Sequence, residues 1–433
     1  MNRSLADMLD RCPSAFQAAQ YVRARLKEAG FTELKESDSW QLEHGERYFM
    51  VRNESAVMAF MIPEGDFHGY MISGAHIDSP AWKIKENPEM VANGYVRLNV
   101  EGYGGMLMNP WFDRPLGICG RLIVMRDGKF ETIPVHIDKD LAVIPSLAIH
   151  MNRGVNKGVE INPQADMLPV WSDDSGKGTF MKTIAGLCGV KEEEILGHDL
   201  YLYVREKARI WGKDDEYISG PHLDDLQCSF GTLEGFLAAK PEKAVAVCGL
   251  FDNEEVGSLS KQGARSTILS DLLARISACF GKDGTLIANS FMISADNSHA
   301  LHPNHPEKAD PINRPKMNGG IVLKYASNTK YATDGVSAAV FRHICAKAGV
   351  PVQVFTNRSD SAGGSTLGNL CNEHVSLNMA DIGLAQLAMH SCYETAGTRD
   401  TEYLVKAMKL FFSSSLTDLG QGRYAIELPE EAM

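Results

Sequence analysis

Acidic and histidine side chains follow short apolar runs at five places in this 433-residue chain. In open α/β sheets, ligands bind in the crevice outside the carboxyl ends of the strands, so side chains from distant segments can meet there. Each segment alone is a weak signal, because a single histidine after a strand is usually structural and Asp224 or Asp225 could cap a helix. Their repetition favours a shared site. The segments are 71–78 (MISGAHID), 222–225 (HLDD), 252–255 (DNEE), 294–296 (SAD) and 386–391 (QLAMHS).

Three of the carboxylates, those of Asp78, Glu254 and Asp296, directly or closely follow runs that look buried. An unpaired carboxylate there would be costly. A divalent cation is the commonest way for several carboxylates to lie together, since it inverts the local electrostatics. Two histidines and three carboxylates, with no thiolate, suit Zn²⁺, with Mn²⁺ or Co²⁺ as alternatives.

Five ligands exceed what one catalytic zinc needs, which predicts two ions that share one carboxylate. Two ions about 3.5–4 Å apart can activate water and polarise a carbonyl or phosphoryl oxygen. Of the glutamate pair at 254–255, one residue would be a ligand and Glu254 the free base. The predicted ligands are His76 and Asp296 on one ion, Glu255 and His390 on the other, and Asp224 between them.

The tripeptide His-Ile-Asp occurs a second time, at 136–138, within strand-like sequence. Alternation along a strand puts His136 and Asp138 on the same face, as any solvated edge would. We therefore expect that His136 is not a ligand.

Alternating strand and helix patterns carry the five segments. They predict an α/β fold, with a central, mostly parallel sheet flanked by helices. Helices are predicted over 13–31 and near 225–239, 265–280 and 334–348. Strands are predicted at 47–51, 56–62, 70–76, 244–251, 291–296, 352–356 and 375–379.

Residues 88–215 have a different sequence pattern from the rest of the chain. Strand-like runs separated by Gly-, Asp- and Asn-rich turns replace the alternation of strands and helices. We predict that residues 88–215 form a β-rich domain. It would be inserted into an α/β domain made of residues 1–87 and 216–433.

The charge balance is acidic, with 43 Lys and Arg against 55 Asp and Glu and a formal net charge of -12. Nucleic acid and anionic membrane are therefore not expected as partners, since their binders need a basic footprint. The sequence has no run of 18 apolar residues, so no membrane helix is predicted. The start MNRSLADMLDRCPSAF lacks the apolar core of a signal peptide. Nine scattered cysteines do not suggest a disulfide framework. We expect a cytoplasmic protein.

The chain resembles the aspartyl aminopeptidases, a family of co-catalytic zinc exopeptidases, over nearly its whole length. The order and spacing of the matching motifs are far more specific than any single motif. The resemblance implies the same metal ligands and base, and it implies that Asp78 orients His76. The matching motifs are AHIDSP, YGG…WFDRPL, IPSLAIHMNRG, HLDDL, DNEEVGS, SADNSHALHPN, KYATDGVS and QLAMHS.

The resemblance also implies an activity and an assembly. The activity is hydrolysis of the N-terminal bond of peptides with a free N-terminus, preferring Asp or Glu as the first residue. His299 and Lys324, with Tyr331 close by, match residues of the pocket for that side chain. His150 matches a histidine that reaches across a dimer into the neighbouring site. The β-rich domain would form oligomer contacts, and dimers would assemble into a dodecamer.

The chain departs from the family pattern at three places. Ala362 replaces a proline, Asp225 replaces an asparagine, and Tyr393 stands where a basic residue is common. None of these removes a ligand, so hydrolysis is expected. The departures bear on pocket geometry and on the side-chain preference.

Other functions fit parts of the pattern. The same metal site could serve a neutral-residue aminopeptidase, or a deacylase or carboxypeptidase of related architecture. An oligomeric scaffold with a vestigial metal site would be expected to lack Glu254 or a ligand, and none is missing. A phosphoesterase could also use two metals, but the sequence has no phosphate-binding Gly-x-x-x-x-Gly-Lys loop.

Overall fold

The computed structural model describes residues 1–429. Its α-helices are α1 (Asn2–Arg11), α2 (Ala15–Glu28), α3 (Pro163–Asp166), α4 (Phe180–Cys188), α5 (Leu223–Leu237), α6 (Ile268–Cys279), α7 (Thr285–Ala288), α8 (Gly335–Lys347), α9 (Leu367–Cys371) and α10 (Thr398–Phe412). Its strands are β1 (Thr32–Glu33), β2 (Arg47–Arg52), β3 (Ala56–Met61), β4 (Tyr70–His76), β5 (Ala81–Ala92), β6 (Tyr95–Tyr103), β7 (Leu116–Arg126), β8 (Lys129–Ala142), β9 (Val170–Asp173), β10 (Ile195–Val204), β11 (Arg209–Trp211), β12 (Tyr217–Gly220), β13 (Val245–Phe251), β14 (Phe291–Ala295), β15 (Ser298–His299), β16 (Ile321–Tyr325), β17 (Val352–Thr356), β18 (Asn378–Gly383), β19 (Ala385–Leu387), β20 (Glu394–Gly397), β21 (Ser415–Gly420) and β22 (Arg423–Glu427).

A nine-stranded sheet forms the centre, in the order β1-β2-β3-β13-β4-β14-β18-β16-β17. Strands β13, β4, β14 and β18 are adjacent and run parallel to one another. At the two sides of these four strands, β3 is antiparallel to β13 and β16 is antiparallel to β18. Every residue of β4 and β13 is buried, as expected of a sheet covered on both faces. The predicted α/β fold is confirmed, with a mixed sheet.

Apolar side chains cover both faces of this sheet. One core contains Leu226, Phe236 and Phe411 from α5 and α10, and the other contains Leu269 and Leu272 from α6. Each such side chain contributes about 1.5–3 kcal/mol when fully buried. The cores thereby hold β4, β13 and β14 side by side, with their carboxyl ends at one edge.

A six-stranded antiparallel sheet, β8-β7-β10-β5-β6-β9, has a core of its own. Asp127 and Gly128, both with positive φ, form the two-residue turn between β7 and β8, as the Asp-Gly pair favours. The division of the chain at 88 and 215 stays a prediction, and β5 of this sheet already begins at Ala81. A five-stranded sheet, β11-β12-β20-β19-β15, lies between residues 209 and 397 of the chain.

Some element bounds differ from the sequence prediction. The strand predicted at 375–379 is β18, which starts at Asn378, because Val375 packs into the core from the turn after α9. The helix α1 comes before the predicted first helix, which begins at Ala15. Within residues 1–429, the helices are too short or too polar to cross a membrane. All nine cysteines lie in this region and are unpaired.

Candidate active site

The predicted ligands come together at the carboxyl edge of the central sheet. His76 is the last residue of β4, and Asp296 follows β14 directly. Glu255 lies in the short turn after β13, and Asp224 lies at the start of α5. His390 comes from a different sheet, in the loop between β19 and β20. All five side chains and Glu254 line one cavity of about 200 Å³.

Asp224 lies between the two histidines. Its Oδ1 is 3.5 Å from His76 Nε2, and its Oδ2 is 3.6 Å from His390 Nε2. The same His390 nitrogen is 3.3 Å from Glu255 Oε2. Potential ligand atoms of His76, Asp224 and Glu255 all lie within 4.8 Å of one another, and those of Asp224, Asp225 and Asp296 do so too. This is the arrangement expected of one carboxylate shared by two ions.

The ligand atoms are short of protein partners. Asp224 Oδ1 and Glu255 Oε1 are buried and accept no hydrogen bond from the described residues. Burial, and then the charge of Asp224, raises the pKa of Glu255 well above its ordinary value. Two such carboxylates in a buried place are costly without a cation, so the donor set fits divalent metal.

Glu254 lies beside the ligands and is held by its backbone. Its N–H donates to Asp78 Oδ1 at 3.1 Å, while its carboxylate forms no hydrogen bond within residues 1–429. Burial raises the pKa of Glu254 to about 8. An unengaged carboxylate of this kind in the cavity suits a general base.

Asp78 faces the other side of His76. Its Oδ1 is 3.4 Å from His76 Nδ1, and its backbone oxygen is 3.0 Å from the same nitrogen. With Nδ1 donating to these oxygens, His76 Nε2 is left with its lone pair towards Asp224. This is the usual way in which a protein orients a metal-binding histidine.

Lys324 is buried in the same cavity, with only 3% of its surface exposed. Its Nζ donates to the backbone carbonyl oxygen of Asn297 at 2.9 Å and lies 3.7 Å from Asp296 Oδ2. The same nitrogen lies 5.6 Å from the centre of the Tyr331 ring. Burial alone would lower the pKa of Lys324, but the Asp296 charge raises it above its ordinary value. Tyr331 and His299 also line the cavity. A buried ammonium ion therefore faces the space beside the ligands.

Two histidines lie away from this cavity. His150 is on an exposed turn of the chain. His136 is in β8, where its ring packs 5.5 Å from that of Tyr203. Neither lines the cavity. The structure of one chain thus leaves the expected reach of His150 into a neighbouring site as a prediction.

The departures from the family pattern are accommodated. Both oxygens of Asp225, which is fully buried, accept backbone hydrogen bonds, from His76 at 3.1 Å and from Asn297 at 3.2 Å. Tyr393 donates its hydroxyl to the Lys207 oxygen at 2.9 Å. Ala362 lies in an exposed loop.

The sequence patterns missed Glu394, although its carboxylate holds two predicted ligands. Its Oε2 accepts from the N–H of Asp224 at 2.9 Å, and its Oε1 accepts from the N–H of His390 at 2.7 Å. Glu394 is 1% exposed and is the first residue of β20. Glu394 begins a strand rather than following one, so it falls outside the pattern of acidic residues after apolar strands. A glutamate four residues after His390 was the available signal.

Known proteins resemble this chain over nearly its full length. The profile of the aminopeptidase I zinc metalloprotease family (M18) matches residues 8–412. A probable M18 family aminopeptidase 2 from Clostridium novyi (strain NT) is 43% identical over 422 residues, which are 94% of this chain and 98% of that protein. A chain of the Ape4 and Nbr1 complex superimposes with a TM-score of 0.91 at 32% identity, covering 94% of this chain and 84% of that chain. The S. cerevisiae mApe1 dodecamer gives a TM-score of 0.83 at 28% identity, covering 95% of each chain.

Replacing Glu394 by Gln should weaken zinc binding by about 10- to 100-fold, the effect typical of losing a group that orients a metal ligand. An amide has one acceptor oxygen, whereas Asp224 and His390 each donate a backbone N–H to this side chain. Competition with a chromogenic chelator measures the affinity. Glu402→Gln, at an exposed glutamate paired with Lys406 on α10, is the control. Equal affinities in Glu394→Gln and the control would show that Glu394 does not support the site.

Proposed function

This chain belongs to the aminopeptidase I (M18) family of zinc metalloproteases, and we propose that it removes Asp or Glu from the free N-terminus of peptides. The family resemblance is confirmed, and the chain is accordingly a peptidase. The preference for acidic residues is the proposal. It is carried by one observation: the Lys324 ammonium lies buried in the cavity that contains the ligand set.

We further propose two divalent ions per chain, with Zn²⁺ first and Mn²⁺ or Co²⁺ as alternatives. The distances from Asp224 to His76 and to His390 support Asp224 as the shared ligand. Glu255 lies close to His390, and we assign these two residues to one ion and His76 and Asp296 to the other. When bound, such a pair of ions lowers the pKa of water and polarises a carbonyl oxygen.

Glu254 acts as the base in this proposal. It takes the proton of the attacking water and passes it to the nitrogen of the leaving peptide as the N-terminal bond breaks. Asp78 holds the backbone of Glu254 and faces His76 at the same time, so base and ligand keep a fixed relation. The carboxylates around Asp224 would anchor the free α-amine of the substrate, which explains why cleavage occurs at the N-terminus.

Lys324 selects the first side chain. A substrate carboxylate would receive a charge-assisted hydrogen bond from its Nζ, in a cavity where burial strengthens that interaction. His299 and Tyr331 complete the wall. Phe355 and Met389 also line the cavity, and these apolar side chains favour the second candidate, a neutral-residue aminopeptidase.

The assembly is also a proposal. The S. cerevisiae relative is a dodecamer, and we propose that this chain forms dimers that assemble in the same way. His150, which is exposed in the single chain, would then contribute to the site of a neighbour. Nine unpaired cysteines support a reducing, cytoplasmic location.

Replacing Glu254 by Gln should lower kcat by about 10²- to 10⁴-fold, since general-base catalysis is lost. The bound zinc should stay near the wild-type amount, because Glu254 is not a proposed ligand. Hydrolysis of an Asp-terminated peptide and elemental analysis of the same sample measure the two quantities. Glu402→Gln is again the exposed control. Full activity in Glu254→Gln would remove the residue from the mechanism.

Replacing Lys324 by Met should reduce the ratio of kcat/KM for Asp- over Leu-terminated peptides by about 10- to 100-fold, since a hydrogen bond to a charged group contributes about 1.5–3 kcal/mol. Parallel assays after chelation and metal re-addition measure this ratio, with an N-acetylated amino acid included to detect a deacylase. Lys347→Met, at an exposed lysine of α8, is the control. A wild-type enzyme that prefers Leu, or an unchanged ratio in Lys324→Met, would reject the acidic preference.

A further inference from the structure

We propose that residues 103–105, at the end of β6, position both histidines of the metal site. Tyr103 is the last residue of β6 in the six-stranded sheet, and Gly104 and Gly105 follow it. The strands of that sheet supply none of the proposed ligands. The inference rests on the proposed function, since it takes His76 and His390 as ligands. It assigns a positioning role to Tyr103 and to the backbone of Gly104 and Gly105.

Tyr103 acts on His76 through Asp78. The Tyr103 hydroxyl donates to Asp78 Oδ2 at 2.7 Å and accepts from Asn253 Nδ2 at 2.8 Å. Because the amide of Asn253 can only donate at that nitrogen, the single hydroxyl proton points to Asp78. The other oxygen of Asp78 is 3.4 Å from His76 Nδ1. The backbone N–H groups of Glu254 and Glu255 also donate to this carboxylate, at 3.1 and 3.2 Å. Tyr103 is therefore the one side chain among three donors that hold the carboxylate facing His76.

Gly105 acts on His390 directly. Its carbonyl oxygen is 2.6 Å from His390 Nδ1. A carbonyl can only accept, so Nδ1 carries the proton and Nε2, which faces Asp224 and Glu255, has the free lone pair. The backbone N–H of Leu107 also donates to the His390 oxygen at 3.0 Å. The chain just after β6 thus holds both the ring and the backbone of this histidine.

Gly104 lets the segment approach so closely. Its φ is +76°, and a Cβ at this position would lie 3.1 Å from Glu255 Cβ and 3.4 Å from Pro80. A side chain would strain the backbone and press on a proposed ligand. The close approach at Gly104 and the hydrogen bonds of Tyr103 and Gly105 therefore both indicate that this segment positions the metal site.

The consequence is a link between the two sheets. Each proposed ion has one histidine that residues 103–105 help to position, His390 through the Gly105 oxygen and His76 through the Asp78 carboxylate. A shift of β6 relative to the central sheet would change both histidines together. The six-stranded sheet would then contribute to metal binding without providing a ligand.

Cobalt substitution of the full-length chain tests the proposal, because Co²⁺ reports its ligand geometry in the visible absorption spectrum. We expect Tyr103→Phe to lower the affinity for one of the two Co²⁺ ions by about 10-fold, which is the lower end of the effect of losing a hydrogen bond to a metal ligand's partner. The absorption spectrum of the bound Co²⁺ should shift as well. Tyr95→Phe removes a hydroxyl from an exposed position of the same strand and should match the wild type. A Tyr103→Phe protein with wild-type affinity and spectrum would overturn the proposal.

Gly104→Ala is the second variant, and it should lower the affinity for the Co²⁺ ion that Glu255 and His390 are proposed to bind. Circular dichroism of each variant checks that the fold is retained, and a folded Gly104→Ala with two wild-type ions would also contradict the proposal. Failure of the proposed function is recognised separately. If the wild type binds two Co²⁺ ions but cleaves no peptide, the function is wrong and the cobalt comparison still decides the role of the segment. If the wild type binds no Co²⁺, both are wrong.

Discussion

The mutual repulsion of buried carboxylates around Asp224 is the constraint on which the site depends. Asp225, Glu255 and Asp296 each place a carboxylate oxygen within 4.8 Å of one of Asp224, and most of this group is shielded from water. Charges placed this way are unfavourable unless a cation or a hydrogen-bond donor faces them. Backbone N–H groups satisfy Asp225, whereas Asp224 Oδ1 and Glu255 Oε1 accept no hydrogen bond from the described residues. Two divalent ions would offset +4 of the formal net charge of -12.

Two different sheets position the proposed ligands. Parallel strands deliver His76 and Asp296 to one edge, while a separate sheet contributes His390 through the loop after β19. Glu394 joins the two sources, because its carboxylate accepts the backbone N–H of Asp224 and that of His390. The site is therefore as rigid as the packing between these sheets, which is the requirement for a preorganised catalytic centre.

The predicted ligands line one cavity in the structure because their places in the sequence follow a rule of the fold. Side chains just after parallel strands meet at one edge, so His76 and Asp296 were recognisable in the sequence. Glu394 and Tyr103 were not, because the contact of Glu394 with Asp224 and that of Tyr103 with Asn253 join segments far apart in the chain. Only the family resemblance indicated a site role for Lys324, and the structure shows it buried beside Asp296. Apolar runs also misplaced the bounds of β18, since Val375 is buried in a turn rather than in a strand.

Diffraction at the zinc absorption edge from crystals of the zinc-loaded chain would test the central claim most directly. We expect two anomalous peaks in each chain, about 3.5–4 Å apart, with Asp224 between them. His76 and Asp296 should contact one peak, and Glu255 and His390 the other. A single peak, or peaks that leave Asp224 without a metal contact, would contradict the shared-carboxylate site.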